Sequence, residues 1–306
     1  MTATAIHWAR IGESTFAAGI WFLYGVHRVV GRRLLRALLW PVVLFYAATQ
    51  PRARRASLDY LARMQAAHGV IGAQPGTLHW LRHLMSFAET LLDKLLATSG
   101  RYAFAEVKLE GQEQVDALLA QGRGALLVTA HIGCLELCQA LANRLPGLRL
   151  TVLVHTRHAE RFNAILKRLN PASQVTLLQV TEVDASTAVE LERRVQAGEF
   201  VAIAGDRVPV ASARTATVPF LGAPAKFPVG AYVLASLLAC PLLMLGCVRE
   251  NGRHVVRFEL LGERVLVPRA GRDAALQQWT EQFVRRMEAL LVRAPYDWFN
   301  FYPFWA

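Results

Sequence analysis

The stretch Leu126-Leu127-Val128-Thr129-Ala130-His131-Ile132-Gly133-Cys134-Leu135-Glu136 decides how this chain is to be read. Leu126–Thr129 is a short, uninterrupted apolar run of the kind that forms a strand buried on both faces. Gly133 turns the chain, and Leu135 to Arg144 then repeats apolar residues at helical spacing. Similar apolar runs recur at Leu150–Val154, Val175–Val180, Val201–Ala204 and Leu242–Val248. Helical patterns lie between them at Ala159–Leu169, Ala185–Ala197 and Val229–Leu238. Val255–Leu261 reads as a further, antiparallel strand, and Ala274–Val292 as a long amphipathic helix. Upstream, Leu58–Thr98 reads as helices interrupted at Gly72–Gly76. Strand and helix in alternation predict an α/β fold with a mainly parallel sheet flanked by helices.

Within that frame, His131 stands just beyond a strand and Glu136 just inside the following helix. Two residues five apart on a regular helix diverge by about 140°, so they meet only if His131 precedes the helix. From there the Glu136 carboxylate can reach back to the imidazole, fix its tautomer and leave the other ring nitrogen as a base. A packed histidine at a helix start is the competing reading. A second charged pair, Asp206 and Arg207, follows the Val201–Ala204 run directly after Gly205. Open parallel sheets bind ligands beyond the carboxyl ends of their strands, which is where both pairs fall. Arg207 can grip a phosphate with two hydrogen bonds while Asp206 positions it. A turn closed by a local salt bridge is the alternative.

Two further blocks carry unusual composition. Pro219 to Gly230 (PFLGAPAKFPVG) reads as an ordered loop with a greasy floor, with Phe220, Gly222 and Lys226 as candidate substrate contacts. Lys226 offers a cation to a phosphate or is simply a solvated surface lysine. The ending from Asp297 to Trp305 (DWFNFYPFW) holds six aromatics in nine residues. Such a segment packs on the sheet as a lid or contacts membrane at headgroup depth.

The N-terminal part differs in character. Phe16–Val26 and Ala37–Ala48 are apolar but only 11 and 12 residues long, well short of the ~20 that span a bilayer. Arg28, Arg32, Arg33 and Arg36 lie between them, and Arg52, Arg54 and Arg55 follow. A helical hairpin or bent helix lying in a membrane interface fits this pattern, as does a pair of buried core helices. Residues 1–57 are therefore set apart from an α/β domain over 58–306. The chain as a whole has 54% hydrophobic residues and 34 Lys+Arg against 23 Asp+Glu, a formal charge of +11. That balance suits an anionic membrane surface or an acidic carrier protein. Nucleic acid is not indicated, for no zinc-finger spacing, RNP-type motif or basic zipper is present. The four cysteines form no ligand pattern, so no metal or cofactor is expected.

Taken in order, H-I-G-C-L-E at 131–136, A-G-D-R at 204–207, P-F-L-G-A-P-A-K-F-P at 219–228 and the aromatic ending resemble the lysophospholipid acyltransferase superfamily. The resemblance is specifically to the branch of the lipid A lauroyl and myristoyl acyltransferases. The ending and the opening H-W-A-R-I-G-E-S at 7–14 look like a bacterial subgroup that often accompanies fatty-acid or aryl polyene biosynthesis. The resemblance implies His131 as general base with Glu136 as its partner, and Asp206 and Arg207 serving the acceptor or the donor's phosphate. It further implies transfer of an acyl group from acyl-carrier protein or acyl-CoA to a hydroxyl or amine of a lipid-like acceptor. The expected location is the cytoplasmic face of a bacterial inner membrane, held peripherally or monotopically. Two alternatives stay open: a thioesterase or lipid hydrolase, and a non-catalytic subunit that binds acyl chains or a carrier protein. No G-x-S-x-G elbow is present, which argues against a serine acyl-enzyme.

Overall fold

A computed structural model describes residues 16–98, 100, 102–145, 147–154, 175–179, 185–208 and 214–305. Among them run α1 (Phe16–Thr49), α2 (Pro51–His68), α3 (Thr77–Thr98), β1 (Lys108–Glu110), α4 (Gln112–Ala120), β2 (Leu126–Thr129) and α5 (Leu135–Ala142). There follow β3 (Leu150–Val154), β4 (Val175–Gln179), α6 (Ala185–Gln196), β5 (Phe200–Ala204), β6 (Thr215–Phe220) and β7 (Ala223–Pro228). The chain closes with α7 (Gly230–Leu237), β8 (Leu242–Glu250), β9 (Arg253–Gly262) and α8 (Arg272–Arg293). The expected helix at 159–169 and the opening motif at 7–14 lie outside the described residues.

Seven strands form one sheet in the order β1-β9-β8-β2-β5-β3-β4. All neighbours in it pair in parallel except β8 and β9. The exception is a hairpin closed by Asn251-Gly252, both at positive φ, the sequence and backbone of a tight two-residue turn. Because β2 is central, every residue of it is buried. Its side chains alternate between two cores. Leu126 and Val128 face a cluster with Tyr60 and Met64 of α2, Leu234 of α7, and Phe283 and Met287 of α8. Leu127 faces the other, with Val115 and Leu118 of α4 and Leu137 and Cys138 of α5. Helices thus cover both faces of the sheet, as the strand–helix alternation predicts.

Two elements depart from the sequence reading. The Pro219–Gly230 block is not a loop. It is most of a two-stranded antiparallel ribbon, with Thr217 opposite Lys226 and Phe220 opposite Ala223. Leu221 and Gly222 make its turn at φ values of 49° and 78°, and the Leu221 N–H donates to Glu288 Oε1 at 2.7 Å. Prolines at 219, 224 and 228 mask a strand, yet a two-stranded ribbon has edges where a missing N–H is tolerated. Of the two shapes expected for the N-terminal part, a hairpin or a bent helix, the hairpin is not the one observed: both apolar segments and the arginines between them lie in α1, one helix of 34 residues with Pro41 inside it. The boundary drawn at residue 57 falls within α2. Among the described residues, no helix is long and apolar enough to cross a membrane.

α1 has two faces along its second half. Leu35, Leu39 and Val43, spaced by four, are buried; Leu39 and Val43 pack on Trp80, Leu84 and Met85 of α3, and Leu35 on Leu92 and Leu96. Leu34, Leu38 and Phe45 are exposed at 52, 49 and 63%, on the other side of the helix. Truncating a buried leucine costs lost transfer energy plus a cavity. Leu39→Ala should therefore destabilise the chain by about 2–4 kcal/mol, measured as a drop in urea midpoint, whereas Leu38→Ala should change it little.

Candidate functional site

β2 and β5 are parallel neighbours with Thr129 opposite Ala204. His131 and Asp206 each lie two residues past those partners, so the register itself brings them together. The His131 Nδ1 and Asp206 Oδ1 are 2.8 Å apart. Asp206 is fully buried and its second oxygen, Oδ2, accepts the His131 backbone N–H at 3.0 Å and the Trp298 indole N–H at 3.2 Å. Burial pushes its carboxyl up, but the neighbouring His131 charge and hydrogen bonds, with Arg207 nearby, outweigh that and hold it well below the usual carboxylate range. A carboxylate cannot donate, so Nδ1 carries the proton and Nε2 keeps its lone pair. The His131 side chain is 36% exposed, which leaves Nε2 on the accessible side of a ring anchored from within.

Glu136 does not meet His131. It sits in the first turn of α5, and its Oε1 pairs with Lys94 Nζ of α3 at 2.6 Å. The expected imidazole–carboxylate pair exists, but Asp206 supplies the carboxylate. The reason is geometric: strand register fixes Asp206 opposite His131, whereas the turn at Gly133 sends α5 toward α3. Gly133 has φ of +58°, and a Cβ there would lie 1.9 Å from the Cys247 carbonyl oxygen, so only glycine fits this turn.

The C-terminal segment, after α8, holds that turn from outside. The Gly133 N–H donates to the Asp297 carbonyl at 2.8 Å, and the Phe299 N–H donates to the His131 carbonyl at 3.3 Å. Ile132 and Trp298 form an antiparallel bridge. The Asp297 side chain accepts from Ser86 Oγ at 2.8 Å and from the Arg249 N–H at 2.6 Å; burial pushes its carboxyl above the usual range despite both. The Trp298 indole is almost completely buried, edge-on to Tyr60, Phe220 and Phe304 at centroid distances of 5.0, 5.3 and 4.9 Å. Of the two roles open to the aromatic ending, packing on the sheet is the one observed.

The remaining predicted residues divide. Arg207 joins the site, donating from Nη2 to the Phe299 carbonyl at 3.2 Å, with its guanidinium over the Tyr302 ring. Phe220 is fully buried and stacks on Trp305, so it is a floor under Trp298. Lys226 lies on the opposite, exposed face of the ribbon from Phe220 and Phe227, and Gly222 is at its exposed turn. Neither is brought to His131. Residues the sequence reading missed are Trp298, Lys94 and His83. Trp298 was visible only as one aromatic among six, because its role depends on an indole N–H meeting a carboxylate 92 positions away. Among the described residues there is no cluster of His, Cys, Asp and Glu fit for a metal.

His83 ties α3 to this segment. It is fully buried, its Nε2–H donates to the Trp298 carbonyl at 2.9 Å, and its Nδ1 accepts from Ser57 Oγ at 2.7 Å. Burial lowers its pKa to about 4, the Trp298 hydrogen bond opposing part of that shift. Above pH ~6.5 the ring is neutral both folded and unfolded, so its contribution is fully present there. As pH falls from ~6.5 toward 4 the unfolded chain binds a proton that the folded chain refuses, and stability declines by up to about 3 kcal/mol. Urea titrations across that window should give a shallower acid slope for His83→Gln than for the parent; equal slopes would refute the assignment.

A buried carboxylate and an imidazole with one nitrogen uncommitted are suited to general-base chemistry. No curated protein matches the chain. Residues 88–306, more than two thirds of its length, match the sequence profile described as bacterial lipid A biosynthesis acyltransferase. That span contains His131, Asp206 and the C-terminal segment, and the chain belongs to the bacterial lipid A biosynthesis acyltransferase family.

Proposed function

We propose that the protein transfers a fatty acyl group from an acyl thioester to a hydroxyl or amine of a lipid-like acceptor, with His131 as general base. The observation that carries this reading is the 2.8 Å His131–Asp206 contact at the carboxyl ends of two adjacent parallel strands. His131 Nε2 takes the proton from the acceptor as its oxygen or nitrogen attacks the thioester carbonyl. The tetrahedral intermediate expels the thiolate, and the imidazolium returns the proton to that sulfur. Asp206 holds the ring and offsets the imidazolium charge, so it acts through His131. Arg207, half-buried beside the pair, is suited to an anionic group of donor or acceptor.

The donor is an acyl-carrier protein or acyl-CoA, both anionic and both matched by a formal charge of +11. The exposed apolar face of α1, with Leu34, Leu38, Trp40, Val42, Leu44 and Phe45, is larger than scattered surface residues explain. It supports seating on an anionic membrane surface, at the cytoplasmic face of the inner membrane, with Arg52, Arg54 and Arg55 at the headgroups.

His131→Ala should lower turnover by roughly 10²–10⁴ with the fold intact. Asp206→Asn should come close to it, while Glu136→Gln, freed from its Lys94 pair, should lose far less. Single-turnover acyl transfer by the three variants checks this. A folded His131→Ala enzyme with near-parental turnover would sink the base assignment, and a Glu136→Gln loss exceeding that of Asp206→Asn would return the partner role to Glu136. For the membrane, Leu34→Ser/Leu38→Ser/Phe45→Ser should weaken sedimentation with vesicles containing phosphatidylglycerol. Undiminished co-sedimentation would place the contact elsewhere.

A further inference from the structure

We infer that Trp298 is a positioning residue of the reaction, its indole N–H locking the rotamer in which Asp206 faces His131. The inference rests on the reading of His131 as base. Asp206 is fully buried and Oδ1 is committed to His131 Nδ1. A carboxylate rotates readily about its last torsion, so the orientation of the pair depends on what holds Oδ2. Two donors do so, the His131 backbone N–H at 3.0 Å and the Trp298 indole N–H at 3.2 Å. The first belongs to the same turn as the imidazole and moves with it. Only the second is anchored independently.

That anchoring is extensive. The Trp298 carbonyl takes the His83 N–H, its backbone bridges Ile132, and its ring is walled in by Tyr60, Phe220 and Phe304. The flanking Asp297 carbonyl and Phe299 N–H grip Gly133 and His131. The indole is therefore a fixed reference against which the carboxylate is set, and the last residues of the chain are part of the active site. The indole bond also draws negative charge away from Asp206. Without it, the carboxylate stabilises the imidazolium more strongly, and the acidic limb of the rate profile moves to higher pH.

Trp298→Phe keeps an aromatic ring and removes only the donor. Expected is an acidic limb of the kcat/KM profile displaced to higher pH. Turnover should fall about tenfold with KM changed little, as when a bond to a charged group is lost. In an Asp206→Asn background the same substitution should have almost no further effect on turnover. Phe227→Leu, which loosens the same cluster through Phe220 and Phe304 without touching the Trp298 ring, should lower Tm without moving the rate profile. A folded Trp298→Phe protein with an unchanged rate profile overturns the inference. If that variant does not fold, the Trp298 indole resonance of the unsubstituted protein is followed from pH 5 to 8. An inflection that coincides with a change in the His131 ring resonances supports the coupling, and a flat response overturns it. Turnover that survives His131→Ala would overturn the base reading instead, while the NMR coupling between the two rings would still stand or fall separately.

Discussion

An ionised carboxylate with no access to water is the constraint around which this structure is arranged. Removing such a charge from solvent costs several kcal/mol unless its oxygens are met by donors of good geometry. Asp206 meets three, from His131 twice and from Trp298 once. Each donor comes from a different structural demand. The side chain of His131 depends on the register of β2 against β5. The backbone N–H of His131 depends on the tight turn that Gly133 permits. The indole depends on a segment that returns from the far end of the chain to lie across the mouth of the sheet.

That returning segment explains a composition that would otherwise be a liability. Six aromatics at the end of a chain would promote aggregation if exposed. Here they interleave with Phe220 and Phe227 of the ribbon and Tyr60 of α2, while Phe301 packs against Trp80 and Phe87 of α3. The ribbon, α2 and α3 are thereby joined to the His131 turn through one cluster. Behind it, Arg249 pairs with Glu89 and Asp93 of α3 and gives its backbone N–H to Asp297. Ion pairs and aromatic packing thus hold the same segment from opposite sides.

The helical N-terminal part joins this body along one seam. α1 lies against α3 through residues spaced by four, and α3 in turn carries His83, Ser86 and Lys94 to the site. A surface that seats on lipid through the outer face of α1 would therefore be mechanically continuous with the His131 turn. Such continuity suits an enzyme whose acceptor is lipid-like.

The sequence by itself determined six of the seven strands of the sheet, most of its flanking helices and the family. Buried parallel strands read as short apolar runs, and Leu126–Thr129, Leu150–Val154, Val201–Ala204 and Leu242–Val248 were legible for that reason. The ribbon at 215–228 was hidden by its prolines, and β1, three residues long, carries too little pattern to be seen. At the site, His131, Asp206 and Arg207 stood out by their position after strands. Which carboxylate meets the imidazole was not legible. Glu136 is five residues from His131 and Asp206 is 75 away, and local spacing favours the nearer. Only tertiary structure decided for Asp206, because strand register sets distances across the sheet that no linear spacing encodes, and because the indole that completes the carboxylate's shell arrives from the other end of the chain.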